Sequence, residues 1–64
     1  MIEKIIELMI DEKIGQKDYE EFSEHFEDSE VKAMLMKISQ DEHNHYKMLK
    51  ELLSRYIDME KEDE

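Results

Sequence analysis

Two glutamates and a histidine in this sequence have the spacing of a metal site. Glu42 and His45 stand three residues apart, so on a helix their side chains lie on one face, one turn apart. Glu12 precedes Asp28 by about as many residues as Glu42 follows it, so a chain reversal near Asp28 brings both carboxylates to the same height. Mixed carboxylate and imidazole ligation suits Fe or Mn, with Zn or Co as substitutes. The sequence therefore predicts Glu12, Glu42 and His45 as metal ligands.

These ligand candidates interrupt two apolar stripes. Apolar or aromatic residues recur every three or four positions in two segments, which predicts two amphipathic helices. Glu12 and Gln16 continue the first stripe, and Glu42 and His45 continue the second. A carboxylate in such a position is costly unless it is paired, protonated or bound to a metal. The stripe residues are Ile2, Ile5, Met9, Tyr19, Phe22 and Phe26, then Val31, Leu35, Ile38, Leu49, Leu52, Tyr56 and Met59.

The fold class predicted from these stripes is all-α. Strong helix formers dominate, and the chain has no proline and one glycine. We expect an antiparallel hairpin over residues 1–59, with a helix at about 2–26, a turn at 27–29 and a helix at about 30–57. Either Asp28 or Ser29 is expected to cap the second helix. Residues 60–64 form an acidic tail that we expect to fray into solvent.

The length of the chain favours a partner. A 64-residue domain buries too little surface to be more than marginally stable alone, and the usual remedies are disulfides, a metal or oligomerisation. The absence of cysteine excludes the first. We therefore expect two hairpins to dimerise into a four-helix bundle, in which the second copy supplies three more ligands.

At this point the sequence resembles a known family. The stretch from Glu12 through Tyr19 to Glu42 and His45 looks like one helix pair of the rubrerythrin-like and ferritin-like di-iron proteins. The resemblance implies that Glu12, Glu42 and His45 bind iron, and that Tyr19 lies near the metals as a catalytic residue. Those families carry two helix pairs, whereas encapsulated ferritins are similar to this chain in having one. The implied cofactor is a di-iron centre shared between two subunits, with Mn or Zn as alternatives.

This resemblance implies an oxidoreductase of the ferroxidase or peroxidase type, acting in iron handling or oxidant removal. The chain has no rubredoxin-like Cys-x-x-Cys module, so a peroxidase would need an external electron donor. The acidic tail lacks an apolar targeting segment, so enclosure in a protein shell is not expected. The alternative is a structural dimerisation module, metal-free or zinc-bound, in which the polar residues of the stripes set register. A fragment of a longer ferritin-like protein is a third possibility.

The charge of the chain bears on its partners. Nineteen acidic and nine basic residues give a formal charge of −10, which disfavours nucleic acid and anionic membrane as partners. The charged residues within 1–10 exclude both a signal-peptide core and a membrane span there. We expect a cytoplasmic protein whose partner is itself, as a homodimer or a higher even-numbered oligomer.

Several other residues have two interpretations. Gly15 either allows a neighbouring helix to approach or is a tolerated defect, and Tyr19 is a core aromatic if it is not a redox residue. Gln16 either donates a hydrogen bond that supports Glu12 or sets the register between the helices. Asp41 is expected to be solvated rather than to orient His45. The remaining histidines, His25 and His43, fall off the stripes and are expected to be exposed.

Overall fold

Two packed helices make up the computed structural model, which describes residues 1–62 and the side chains of residues 1–60. Helix α1 spans Ile2–Ser23 and helix α2 spans Ser29–Glu62. The helices are antiparallel, because Gln16 of α1 contacts Ser39 and Ser23 contacts Met36, in reverse order along α2. No strand occurs within residues 1–62. The predicted all-α, two-helix hairpin is confirmed.

Helix α1 ends three residues earlier than the sequence predicts. The last turn tightens, since the backbone N–H groups of Glu24, His25 and Phe26 each donate to the carbonyl three residues before. The Ser23 hydroxyl donates to the Glu20 carbonyl at 2.6 Å, a local hydrogen bond that competes with helix continuation. The last turn also contains no basic residue to offset the helix dipole. Phe26 therefore lies in the linker.

Asp28, one of the two residues predicted to cap helix α2, is its N-cap residue. Asp28 Oδ1 accepts hydrogen bonds from the backbone N–H groups of Glu30 at 2.8 Å and Val31 at 3.1 Å, so Asp28 rather than Ser29 is the N-cap. The helix continues through Glu62, five residues beyond the predicted end. Residues 60–62 of the predicted tail are thus helical, because nothing in their sequence breaks a helix. The rest of that tail lies outside the described residues.

The seam between the helices is narrow and partly polar. Among residues 1–60 the buried residues are Ile5, Ser23 and Ser39. The Ser39 hydroxyl donates to the Gln16 backbone carbonyl at 3.0 Å, a bond that crosses from α2 to α1. Small serine side chains let the helix backbones approach each other here. A single hairpin consequently buries too few side chains to form a conventional hydrophobic core.

Much of the predicted stripes lies outside this seam. Phe22, Ile38, Leu52 and Met59 were all placed on the inner stripes, yet they are 39–60% exposed. The reason is geometric, because a stripe built from steps of three and four is wide enough to cover two adjacent faces of a helix. The inner face packs within the hairpin, and the second face remains open.

The hairpin is a single layer of two helices, and one of its broad faces carries a row of exposed apolar side chains, while Ile6, Ile10 and Ile14 are exposed elsewhere on α1. The Cα extents of the hairpin are 56 × 15 × 9 Å. On α2 five exposed apolar side chains and His45 recur in steps of four, seven or three residues, which keeps them on one side, whereas the exposed Met36 and Ile57 fall outside this series. Leu8 and Phe22 of α1, two heptads apart, extend the same side. We call this surface the open face; its residues are Leu8, Phe22, Met34, Ile38, His45, Met48, Leu52 and Met59.

Neither α1 nor α2, over the residues described, combines the length and apolar character needed to cross a bilayer.

Candidate metal centre

The structure brings Glu12, Glu42 and His45 together at mid-height of the hairpin. One ligand atom of each side chain lies within 4.8 Å of the corresponding atoms of the other two. His45 Nδ1 is 3.4 Å from Glu12 Oε2. The three residues named from spacing alone therefore form one cluster across the two helices.

Each helix contributes to this cluster through its regular geometry. Glu12 lies on the side of α1 that faces α2, two turns after the buried Ile5. Glu42 and His45 are one turn apart on α2, and Glu42 follows the buried Ser39 by three residues. Because Ser39 ties α2 to the Gln16 carbonyl, the relative height of the two helices is fixed next to the cluster. The ligand candidates thus stand on rigid elements rather than on a loop.

The two carboxylates of the cluster perturb each other. Hydrogen bonding with Glu12 raises the pKa of Glu42, and partial burial and the charge of Glu12 raise it further. In the other direction, the nearby His45 lowers that pKa. Two adjoining carboxylates disfavour ionisation of Glu42, and a cation placed between them would offset their repulsion.

A carboxylate oxygen without a hydrogen-bond partner marks the same position. Glu12 Oε2 is buried and accepts no hydrogen bond among the described residues, although His45 Nδ1 is near it. An unsatisfied carboxylate oxygen is costly, and a metal ion would satisfy it. Two carboxylates and one imidazole are a donor set that suits Fe, Mn or Zn. The residues present therefore fit a metal ion, with donors on one side of it only.

The other side of the cluster faces an open cleft. Leu8, Glu12, His45, Met48 and Leu49 line this cleft, whose volume is about 250 Å³. The Glu12 side chain is 25% exposed and the His45 side chain 56%. His45 is itself part of the open face. The cluster is thus reached from the broad apolar surface of the hairpin, not from its edge or its turn.

The other residues with proposed roles lie around this cluster rather than in it. Tyr19 is half-buried on α1, two turns beyond Glu12, and does not belong to the group of three. The Gln16 amide donates to Glu20 Oε1 at 3.3 Å, so its N–H points along α1 away from Glu12. Asp41 pairs with Lys37 one turn earlier, which favours its solvated interpretation over an orienting role for His45.

The two remaining histidines differ from each other. His25 is exposed, as predicted, and its ring lies 6.2 Å from that of Phe22. The prediction for His43 is wrong. His43 is half-buried, its ring stacks on Tyr46 at 6.5 Å, and its Nδ1 is buried. Tyr46, on the inner face of α2, provides the surface that covers it.

Sequence reasoning missed two features near the cluster. Lys13 Nζ lies 4.4 Å from the Tyr46 ring centroid, a cation–π contact that holds this ammonium group on an aromatic ring. Leu8, Met48 and Leu49 line the cleft, and only their apolar character was apparent beforehand. The sequence contained a signal for the cation–π contact: Lys13 follows Glu12 directly, and Tyr46 follows Glu42 by one helical turn.

Comparison with known proteins adds no family to this picture. No family model, curated protein or solved structure matches the chain.

Proposed function

We propose that this protein is a di-iron oxidoreductase whose metal centre forms where two hairpins pair through their open faces. The observation that carries the proposal is the convergence of Glu12, Glu42 and His45 next to the open face, with an unsatisfied Glu12 oxygen among them. The proposed reaction is oxidation of Fe(II) by oxygen or peroxide. Its cellular role would be iron handling or oxidant removal in the cytoplasm, where a chain without cysteine is at no disadvantage.

The first support is that one hairpin supplies too few ligands. Three donors lie on one side of the cluster, and the other side is a cleft bounded by Leu8 and Met48. Iron or manganese bound by carboxylate and imidazole takes about six donors in its usual geometry. A second hairpin related by two-fold symmetry supplies another Glu12, Glu42 and His45. The combined set is that of the ferritin-like di-iron proteins.

The second support is the size and character of the open face. The hairpin face is at most 56 × 15 Å, or roughly 800 Å² in projection, because α2 extends beyond the shorter α1; a stable interface buries about 800 Å² on each partner. Met48 and Leu52 are 69% and 49% exposed beside His45. Covering such side chains is favourable, because apolar burial contributes about 25 cal/mol per Å². The surface that buries the apolar residues therefore also completes the ligand set.

The residues of the cluster have distinct roles in this proposal. The bound iron supplies the one-electron chemistry with the oxidant. Glu12, Glu42 and His45 would hold the metals, and the two carboxylates would neutralise their positive charge. Tyr19, two turns from Glu12, is proposed as the aromatic residue near the reaction. Without a built-in thiol centre, any peroxidase cycle requires an external electron donor.

The proposal is tested by anaerobic loading with Fe(II), followed by measurement of oxygen or peroxide consumption. Glu42→Ala and His45→Ala are expected to abolish the iron-dependent consumption without loss of helicity. His25→Ala is the matched control, since His25 is exposed near the turn and belongs to no cluster of ligand atoms. Equal consumption in wild type and both site variants would contradict the proposal. Tyr19→Phe should retain the metal and slow the oxidation.

The open face also favours a second candidate, a structural dimerisation module that is metal-free or zinc-bound. Leu52 and Met59 extend the apolar surface well beyond the cluster, so pairing does not depend on the metal ligands alone. A dimer whose native mass is unchanged by chelators, by Glu42→Ala and by His45→Ala would favour this candidate.

A further inference from the structure

Gly15 is the one glycine of the chain, and it stands three residues after Glu12 in α1. Glycine inside a helix lowers its stability relative to alanine, so its presence calls for a reason. Backbone conformation is not the reason. No glycine in the described part of the chain has a positive φ, so alanine would fit the local backbone at position 15.

The space beside Gly15 provides the reason. A Cβ atom at position 15 would lie 3.3 Å from Cδ of Glu42, 3.4 Å from its Oε2 and 3.7 Å from its Cγ. All three of these neighbouring atoms belong to the Glu42 side chain. The Glu42 carboxyl group therefore rests directly against α1 at Gly15, where the Cβ of any other residue would make a tight contact with it.

We infer that Gly15 is a positioning residue of the metal centre: its missing side chain lets the Glu42 carboxyl group lie against α1, within reach of Glu12. This inference rests on the proposed function. Without a cation, the flexible Glu42 side chain can move by the few tenths of an ångström that a Cβ demands. With a cation bound, Glu42 is fixed on the ligand side and cannot move freely. A side chain at position 15 therefore penalises the metal-bound state selectively.

A different role for Gly15 predicts a different result. Gly15 falls midway in the seven-residue series between Leu8 and Phe22 of the open face. If Gly15 instead served to let the backbone of a second hairpin approach, Gly15→Ala would change dimer formation even without metal. The native mass of the metal-free protein separates that role from positioning of Glu42.

The experiment measures Mn²⁺ affinity anaerobically by calorimetry in wild type, Gly15→Ala, Glu42→Gln and the double variant. It also records the visible spectrum of bound Co²⁺. We expect Gly15→Ala to bind Mn²⁺ about tenfold more weakly, the lower end of what is lost when the support of a metal ligand is removed. The Co²⁺ bands should shift, because the geometry of Glu42 changes. The loss should be much smaller in the Glu42→Gln background, where the displaced ligand is already impaired.

Ser54→Ala is the matched control, because Ser54 is exposed on α2 and alanine also raises helix propensity there. Both alanine variants should melt at a higher temperature without metal, and only Gly15→Ala should lose affinity. Wild-type affinity in Gly15→Ala, an equal loss in the Glu42→Gln background, or an altered mass of the metal-free protein would each overturn the inference. If wild type itself binds Mn²⁺ no better than Glu42→Gln, the proposed function fails, and the inference fails with it.

Discussion

Replacing Glu42 by glutamine should change the stability of the protein in opposite directions with and without metal. In the metal-free protein the carboxyl groups of Glu42 and Glu12 adjoin, and hydrogen bonding between them raises the pKa of Glu42. A group whose pKa is raised by folding stabilises the fold fully at low pH, and that contribution is lost as the pH rises through the raised value. At neutral pH the pair is therefore two adjoining negative charges.

The glutamine amide donates a hydrogen bond to Glu12 at every pH. Because the Glu42 side chain is only half-buried, the expected gain in the free energy of unfolding at pH 7 is modest, roughly 0.5–1 kcal/mol. For a chain of this size, 1 kcal/mol corresponds to about 4–8 °C in Tm. Near pH 4 wild type and variant should be about equally stable, because the raised pKa of Glu42 leaves its carboxyl group mostly protonated and able to donate to Glu12. With metal bound, Glu42→Gln should instead lower the free energy of unfolding, because the variant has lost an anionic ligand.

The assay is thermal unfolding at fixed protein concentration, with chelator or with Mn²⁺, at pH 4 and pH 7. Glu51→Gln is the control, since Glu51 pairs with Arg55 on the exposed surface of α2 and its loss should slightly destabilise both forms. A Glu42→Gln variant that is less stable than wild type at pH 7 even with chelator would refute the account of the carboxylate pair. Equal stabilisation of both proteins by Mn²⁺ would refute the role of Glu42 as a ligand.

Three further variants test the fold and the open face. Leu52→Glu should prevent pairing, seen as a halved native mass and reduced metal retention, because it places a charge on the open face two turns from His45; an unchanged mass would contradict that interface. Asp28→Ala should lower the free energy of unfolding by about 1 kcal/mol through loss of the N-cap bonds to Glu30 and Val31, measured by denaturant titration, and no loss would show that another residue can cap. Ser39→Leu should cost roughly 1–3 kcal/mol by overpacking, because Ser39 is 2% exposed between the helices; a more stable variant would mean that the seam is looser than described.

Helical periodicity predicted the elements well because it reflects strong local preferences. The spacing of Glu12 and Glu42 about Asp28 anticipated their convergence, since antiparallel helices with a short linker allow little freedom in height. The end of α1 was not predictable in the same way. Near this end the Ser23 hydroxyl bonds back to the Glu20 carbonyl and the backbone bonds change to a three-residue spacing, and periodicity encodes neither feature.

The division of apolar residues between two faces was equally hidden in the sequence. Ile38 and Ser39 are neighbours, and periodicity favoured the isoleucine for the inner face, yet the serine is buried and Ile38 is 39% exposed. Close approach of the helices selects the smaller side chain at the seam and leaves the larger one for the open face. Which of two adjacent faces packs within the chain is a tertiary outcome, and it also explains why His43 is covered by Tyr46.

The central claim, a metal centre shared between two hairpins, is tested most directly by the iron content of anaerobically reloaded protein, measured beside the native mass of the same sample. The account predicts about one iron per chain in an even-numbered oligomer. A stable dimer that retains no iron would contradict it.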